Sequence, residues 1–271
     1  MTLKTSPLIP SRSASFKTET PVPGNGKDIS LGSRTNGLPF DLSRCVIFFD
    51  FDNTITQNDV LDKIIEQFAI DDRWVLLEEE WRKGKIGSKE CLEGQLKSVR
   101  VTRSTLSRYL STVSLDSSFK QLLQFVRRNK IEFMVVSDSF SFAIHQILKH
   151  HKIRHIPVYA NELRFQKDHL IPTFPFFNED CLRCAHCKKI HLKNNSHKTT
   201  IYVGDGRSDI CAAECADIVF AKDSLLDYLQ KVNKPCIEFK NLGSVLRFLE
   251  QLKGKQIKRQ TVKVSMPASQ S

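Results

Sequence analysis

Two carboxylates two residues apart follow directly on a short apolar run: Val46-Ile47-Phe48-Phe49, then Asp50-Phe51-Asp52-Asn53-Thr54. A strand ending there projects Asp50 and Asp52 to the same side. Two acids held so close resist joint ionisation unless a cation joins them. Magnesium, a hard ion that takes oxygen ligands, is the expected partner. One carboxylate can then attack phosphorus and carry the phosphoryl group as an acyl phosphate. The other can protonate the leaving oxygen and later activate water.

Such a pair needs a strand end to hold it, and the chain supplies several. After 46–49, apolar runs recur at 131–136, 200–203, 217–220 and 236–239, with helical stretches between them. Short, wholly apolar runs of this kind predict buried parallel strands covered on both faces. Three of the five end in small or polar residues: Asp50, Ser137 and Gly204-Asp205-Gly206. Open α/β sheets bind ligands at the carboxyl ends of their strands. The expected fold class is therefore α/β: a Rossmann-like three-layer core with a mostly parallel sheet and an inserted helical cap domain.

The cap is expected over 59–128, where Val60, Leu61, Ile64, Ile65 and Phe68 follow helical spacing and further amphipathic segments run near 72–83, 88–98, 102–112 and 117–128. The core then comprises 44–58 and 129–252. Residues 161–165 and 169–174 alternate around Lys167-Asp168, which predicts a hairpin. Residues 1–43, rich in Ser, Thr, Pro and Gly, read as a disordered extension that also has the composition of an organellar transit peptide. Residues 253–271 read as a flexible basic tail.

The net charge of +11 is concentrated at the ends. Residues 44–252 keep 31 basic and 27 acidic residues, a net of +4. Nucleic-acid binding calls for a basic face on the fold itself, so no nucleic-acid partner is expected. No apolar run is long enough to span a membrane. The expected compartment is the cytoplasm, or an organelle (plastid or mitochondrion) if 1–43 is a transit peptide. Eight cysteines without a secretory signal suggest reduced thiols. Cys181, Cys184 and Cys187 are spaced by threes, with His186 and His191 nearby. Zinc or a redox disulfide would suit this cluster. Structural zinc usually draws on a distant second set of ligands, so unligated thiols are the default expectation.

Taken in order, these motifs resemble the haloacid dehalogenase (HAD) superfamily over residues 46–240. Its first motif, Asp-x-Asp-x-Thr after a strand, matches Asp50 to Thr54; its second matches Ser137; its fourth matches Asp205 to Asp209. The resemblance implies Asp50 as nucleophile and Asp52 as general acid and base. It implies magnesium held by Asp50, Asp205 and the backbone carbonyl of Asp52, with Asp209 supporting the metal's waters or the lysine. Thr54, Ser137 and a lysine would contact phosphate. Lys188 and Lys189 both stand at suitable spacing for the third motif. Lys188 is preferred because Cys184-Ala185-His186-Cys187-Lys188 is similar to methylthiopentenyl-phosphate phosphatases.

The helical cap resembles that of phosphoserine phosphatases, in which a glutamate at the position of Asp59 binds the substrate amine. Asp59 keeps the charge on a shorter arm and equally suits a helix N-cap. No residue clearly matches that family's carboxylate-binding arginine; Arg82 and Arg100 are candidates. The implied activity is hydrolysis of a small phosphomonoester, with 2-hydroxy-3-keto-5-methylthiopentenyl-1-phosphate as one substrate. The alternatives are phosphoserine hydrolysis, phosphotransfer to an alcohol, and a catalytically silent scaffold that keeps the fold. The sequence carries no signal of oligomeric state.

Overall fold

The protein is described here by a computed structural model covering residues 41–181 and 183–264, with side chains described as far as residue 254. The extension expected at 1–43 falls outside these residues except at its end. There Leu42–Arg44 form a 3-10 turn, with Asp41 accepting from the amide of Ser43.

Seven strands form one sheet: β1 (Cys45–Phe49), β2 (Glu132–Phe140), β3 (Val158–Gln166), β4 (His169–Thr173), β5 (Thr199–Gly204), β6 (Ile218–Ala221) and β7 (Ile237–Glu238). Their order is β4-β3-β2-β1-β5-β6-β7, and every pairing is parallel except β3 with β4. β1 is central and all five of its residues are buried, as a strand covered on both faces must be. The expected hairpin is β3–β4. β3 begins earlier than its alternation predicts, and its first half pairs in parallel with β2.

The two faces are filled by alternate residues of the same strands. Val46, Phe48, Tyr202 and Val219 face α7 (Lys189–Asn194), α8 (Ile210–Cys215) and α9 (Asp223–Lys231) through Leu192, Ala212, Ala213, Leu225 and Leu229. Phe220 points the other way and meets Phe248 of α10 (Leu242–Val264) edge to face, with ring centroids 5.3 Å apart. The three layers thus follow from period-2 side-chain alternation. α10 continues through Val264, into the stretch 253–264 where a basic tail is expected. Lys, Arg and Gln in that stretch favour helix, and no proline interrupts it before Pro267.

Between β1 and β2 lie α1 (Val60–Phe68), α2 (Arg73–Arg82), α3 (Ser88–Leu96), α4 (Arg103–Leu110) and α5 (Phe119–Arg128). α1 starts at Asp59, whose carboxylate accepts from the amide of Asp62 at 2.9 Å, and its stripe of Val60, Leu61, Ile64 and Ile65 is buried. α2 packs against α3. α5 differs from these cap helices: its Phe119, Leu122, Leu123 and Val126 are buried, and it packs against α10 and β2. The expected cap boundary at 128 therefore falls at the far end of a helix that covers the sheet. α6 (Ser141–His150) follows β2 and packs on β2 and β3.

Candidate active site

Asp50 is the residue directly after β1, and its amide donates to the carbonyl of Val203 on β5 at 2.9 Å. β1 and β5 run parallel in register, so their carboxyl ends coincide. Asp205 follows β5 and Ser137 lies near the end of β2, where the β2–β3 register shifts between Ser137 and Phe140. That irregularity re-aims Ser137, Asp138 and Ser139 towards a cavity of about 120 Å³ also lined by Asp50, Asp52, Lys188 and Asp205. Such bulges recur beside active sites for this geometric reason.

Lys188 joins the groups. It is 1 % exposed, and its ammonium stands 2.8 Å from Asp50 Oδ1, 2.6 Å from Asp209 Oδ1 and 3.2 Å from Ser208 Oγ. Lys189, the other lysine at suitable spacing, opens α7. Burial alone would lower the pKa of Lys188. Asp209 and Asp50 outweigh it and hold the ammonium charged, its pKa well above the ordinary lysine value.

Asp209 is saturated. Oδ1 accepts from Lys188 at 2.6 Å and from the hydroxyl of Tyr202 at 2.5 Å. Oδ2 accepts from the amides of Asp205 at 2.9 Å and Gly206 at 3.0 Å. A carboxylate offers about four lone-pair directions, and all are used. Asp209 thus holds Lys188 and the Asp205 loop in place. Gly204 is required beside it: a Cβ there would overlap Asp209 Oδ2 and come within 2.8 Å of Tyr202 Cε1.

Thr54, expected to contact phosphate, turns its hydroxyl to Asp205. Its hydroxyl donates to Asp205 Oδ1 at 2.6 Å, and Asn53 Nδ2 donates to Asp205 Oδ2 at 2.9 Å and to Asp223 Oδ2 at 3.0 Å. Asn53 adopts the left-handed region (φ 50), which asparagine tolerates better than most residues. The loop after β1 thereby clamps the loop after β5.

Carboxylate oxygens of Asp50, Asp205 and Asp209 all lie within 4.8 Å of one another, and all three residues are buried. Against them stands one ammonium, so two negative charges remain uncompensated away from water. Burial, then the charge of Asp209, pushes the pKa of Asp50 well above the ordinary carboxylate range, while Lys188 pulls it back. Burial and Asp209 likewise raise Asp205 to about 6. An all-oxygen donor set with excess negative charge fits a hard divalent cation, held by Asp50 and Asp205.

Asp52 stands apart from that trio. Its Oδ1 accepts from the amide of Val60 at 3.1 Å, at the base of the cap. Burial first, then the charge of Asp59, raises its pKa well above the ordinary carboxylate value. Across the cavity the cap contributes Asp59, Asp62, Glu78 and Trp81. Asp59 therefore both caps α1 and lines the cavity. Burial, Asp59 and Glu78 push Asp62 up to about 7. Glu78 Oε1 is paired with Arg82 at 2.9 Å, and the Arg207 guanidinium lies 5.7 Å from the Trp81 ring centroid. Arg82 is thus engaged with Glu78. Arg100 donates to the carbonyls of Lys97 and Val99.

Sequence reasoning missed Tyr202, Ser208, Asp138, Asp62 and Glu78. Tyr202 read as one more apolar strand residue, and nothing local marks its hydroxyl. Asp62 lies three residues beyond Asp59, a helical spacing that carries it to the same face, and could have been found.

A family model described as "Putative Phosphatase" matches residues 45–226. The chain belongs to that family. A 2-hydroxy-3-keto-5-methylthiopentenyl-1-phosphate phosphatase of Bacillus cereus is 30% identical over 221 residues, 76% of this chain and 98% of the relative. One from Brevibacillus brevis is 26% identical over 215 residues, 77% of this chain and 96% of the relative. Among solved structures, a substrate-bound phosphoserine phosphatase superposes with a TM-score of 0.60 at 19% identity, covering 75% of this chain and 97% of that one. The fold is that of HAD-superfamily phosphatases, and this chain is a phosphoric monoester hydrolase of that superfamily.

Proposed function

We propose that this protein hydrolyses a small-molecule phosphomonoester with magnesium, through a phosphoryl-enzyme at Asp50. The observation that carries the reading is the convergence of Asp50, Lys188, Ser137 and Asp205 on one buried cavity. The cation, when bound, offsets the charge of Asp50 and orients the phosphate. Asp50 Oδ1 lies against Lys188, leaving its other oxygen to attack phosphorus. The P–O bond to the leaving group breaks as the Asp50 O–P bond forms, and Asp52 gives its proton to the departing oxygen. Asp52, now a carboxylate, takes a proton from water as that water attacks phosphorus and restores Asp50. Lys188 offsets charge building on the phosphoryl oxygens, and Ser137 lies close enough to the cavity to donate to one of them.

The relatives' substrate, a methylthiopentenyl phosphate, is the first candidate for the leaving group. A specific observation favours a second. That compound's name includes no cationic group, whereas the cap wall carries Asp59, Asp62 and Glu78 beside the Trp81 indole. Carboxylates next to an aromatic face suit an organic cation. Such a cation would also offset the charges of Asp59 and Glu78, which add to burial in raising Asp62. The test is a panel of purified phosphomonoesters with magnesium: the methylthiopentenyl ester, phosphoserine and a phosphorylated quaternary amino alcohol. Preference for the last, lost in Asp62→Asn through KM with kcat kept, supports the cationic reading. Preference for the methylthiopentenyl ester discards it. No hydrolysis of any of them, nor of an aryl phosphate, refutes the proposed function.

A further inference from the structure

Outside the active site, the fold gathers a second set of metal-ligating groups. Cys181 and Cys184 lie in the segment between β4 and α7, and Cys211 lies in α8, 30 residues beyond Cys181. Their three Sγ atoms lie within 4.8 Å of one another. Cys181 Sγ is 3.7 Å from Cys184 Sγ and 3.8 Å from Cys211 Sγ. Cys187 is buried in the same segment; its Sγ accepts from Asn178 Nδ2 at 3.9 Å and lies outside that three-sulfur group. The distant cysteine whose absence from the local 181–187 pattern argued against a metal is thus supplied by the fold.

We propose that Cys181, Cys184 and Cys211 bind zinc as a three-thiolate structural site, its fourth position left to water or to Cys187, whose Sγ lies outside the three-sulfur group. The distances carry the assignment. Thiolates about 2.3 Å from zinc at the corners of a tetrahedron stand about 3.8 Å apart. A disulfide would hold two sulfurs about 2.05 Å apart and leave the third without a partner. The nearby imidazoles are engaged elsewhere, with His186 Nε2 and His191 Nε2 2.7 Å apart. Zinc binding would displace the thiol protons to water, with no change of oxidation state.

The location gives the site a purpose. Cys187 immediately precedes Lys188, and Cys211 lies two residues after Asp209, so the zinc would tie together the two chain segments whose side chains pair at 2.6 Å. The same segment touches the core and the cap. The Ala185 amide donates to Asp138 at 3.4 Å, and the Ser88 amide, at the start of α3, donates to the Arg183 carbonyl at 3.0 Å. A fixed zinc–thiolate knot there holds Lys188 in register with Asp50 and Asp209.

The experiment is metal analysis of the full chain, expressed with zinc and purified without chelator, then dialysed. About one zinc per chain is expected, released when a mercurial titrates the thiols. Cobalt substitution should give the sulfur-to-cobalt charge-transfer band of a thiolate site. Cys211→Ser and Cys184→Ser should lose that zinc, and Cys236→Ser should keep it. Asp205→Asn should also keep it, which separates this site from the carboxylate centre. Because the cysteine variants can fail to fold, the wild-type stoichiometry and the cobalt spectrum stand as independent readouts. Zinc-free wild-type protein with all thiols reactive, a Cys181–Cys184 disulfide in its mass spectrum, or zinc retained in Cys211→Ser but lost in Asp205→Asn would each overturn the proposal.

Discussion

Replacing Asp209 by asparagine changes almost no volume, yet it should be among the most damaging single substitutions in this fold. Asp209 is fully buried, and its two oxygens accept four hydrogen bonds, from Lys188, Tyr202 and the amides of Asp205 and Gly206. An amide has one acceptor and one donor end. Turned one way, its NH2 group faces two backbone N–H groups; turned the other, it faces an ammonium and a hydroxyl. Either way two donors oppose it, and Lys188 loses one of its two buried counter-charges. One effect runs the other way, since the charge of Asp209 is the second cause of the raised Asp50 pKa and removing it would relieve Asp50. Breaking a buried ion pair costs about 3–5 kcal/mol because a charge is left behind. Each lost charge-assisted hydrogen bond costs about 1.5–3 kcal/mol. The relief to Asp50 is partly screened already by Lys188, so destabilisation of about 3–5 kcal/mol should win. For a domain of this size that lowers Tm by roughly 10 °C. Urea and thermal unfolding of the magnesium-free protein measure it, with Tyr202→Phe, expected to cost only about 1 kcal/mol, as the reference for losing a single donor. A D209N protein within 1 kcal/mol of wild type would refute the reasoning that this carboxylate is the keystone of the loop.

Asp52→Ala should lower kcat by roughly 10²–10⁴-fold on an alkyl phosphate, the usual worth of a positioned acid and base. The deficit should be smaller in phosphoryl-enzyme formation from an aryl phosphate, whose leaving group needs less protonation; rapid-mixing kinetics on both esters check this. Burial lowers His186 to about 2 and His191 to about 4, so neither imidazole should titrate in NMR spectra between pH 5 and 8. Both folded values lie below the unfolded value of about 6.5. The stability this pair contributes is therefore whole above about 6.5 and is lost as pH falls towards the folded values. Gly204→Ala should reduce phosphatase activity because the new methyl group displaces Asp209, and with it Lys188. Unchanged kcat/KM in G204A would mean that the loop adapts freely.

The strand-end chemistry was legible because it is local. Asp50 and Asp52 announce themselves by following Phe49, and Gly204-Asp205-Gly206 by following Val203, since a buried parallel strand and its terminus leave a plain pattern. What escaped was set by contacts distant in sequence. Thr54 sits where a phosphate ligand is expected, and only the fold brings Asp205, 151 positions away, against its hydroxyl. Asp209 reads as an acid that supports either the metal's waters or the lysine, and only the fold brings Lys188 and Tyr202 to one of its oxygens and two backbone amides to the other. α5 has the same helical spacing as the cap helices before it, and periodicity cannot say that its apolar face meets α10 instead of α1. The first half of β3 was lost for a related reason. At the margin of the parallel run, Tyr159 is exposed while Ala160 and Asn161 are buried, so no continuous apolar run marks the strand.

The most direct test of the chemistry is to catch the phosphoryl group on the protein. The magnesium-loaded enzyme should be mixed with an aryl phosphate, quenched in acid within the first turnover and mapped by mass spectrometry. One phosphoryl group on the peptide carrying Asp50 is expected, removed by hydroxylamine and absent from Asp50→Asn. Turnover with no covalent phosphate, or with the label on another residue, would contradict the account.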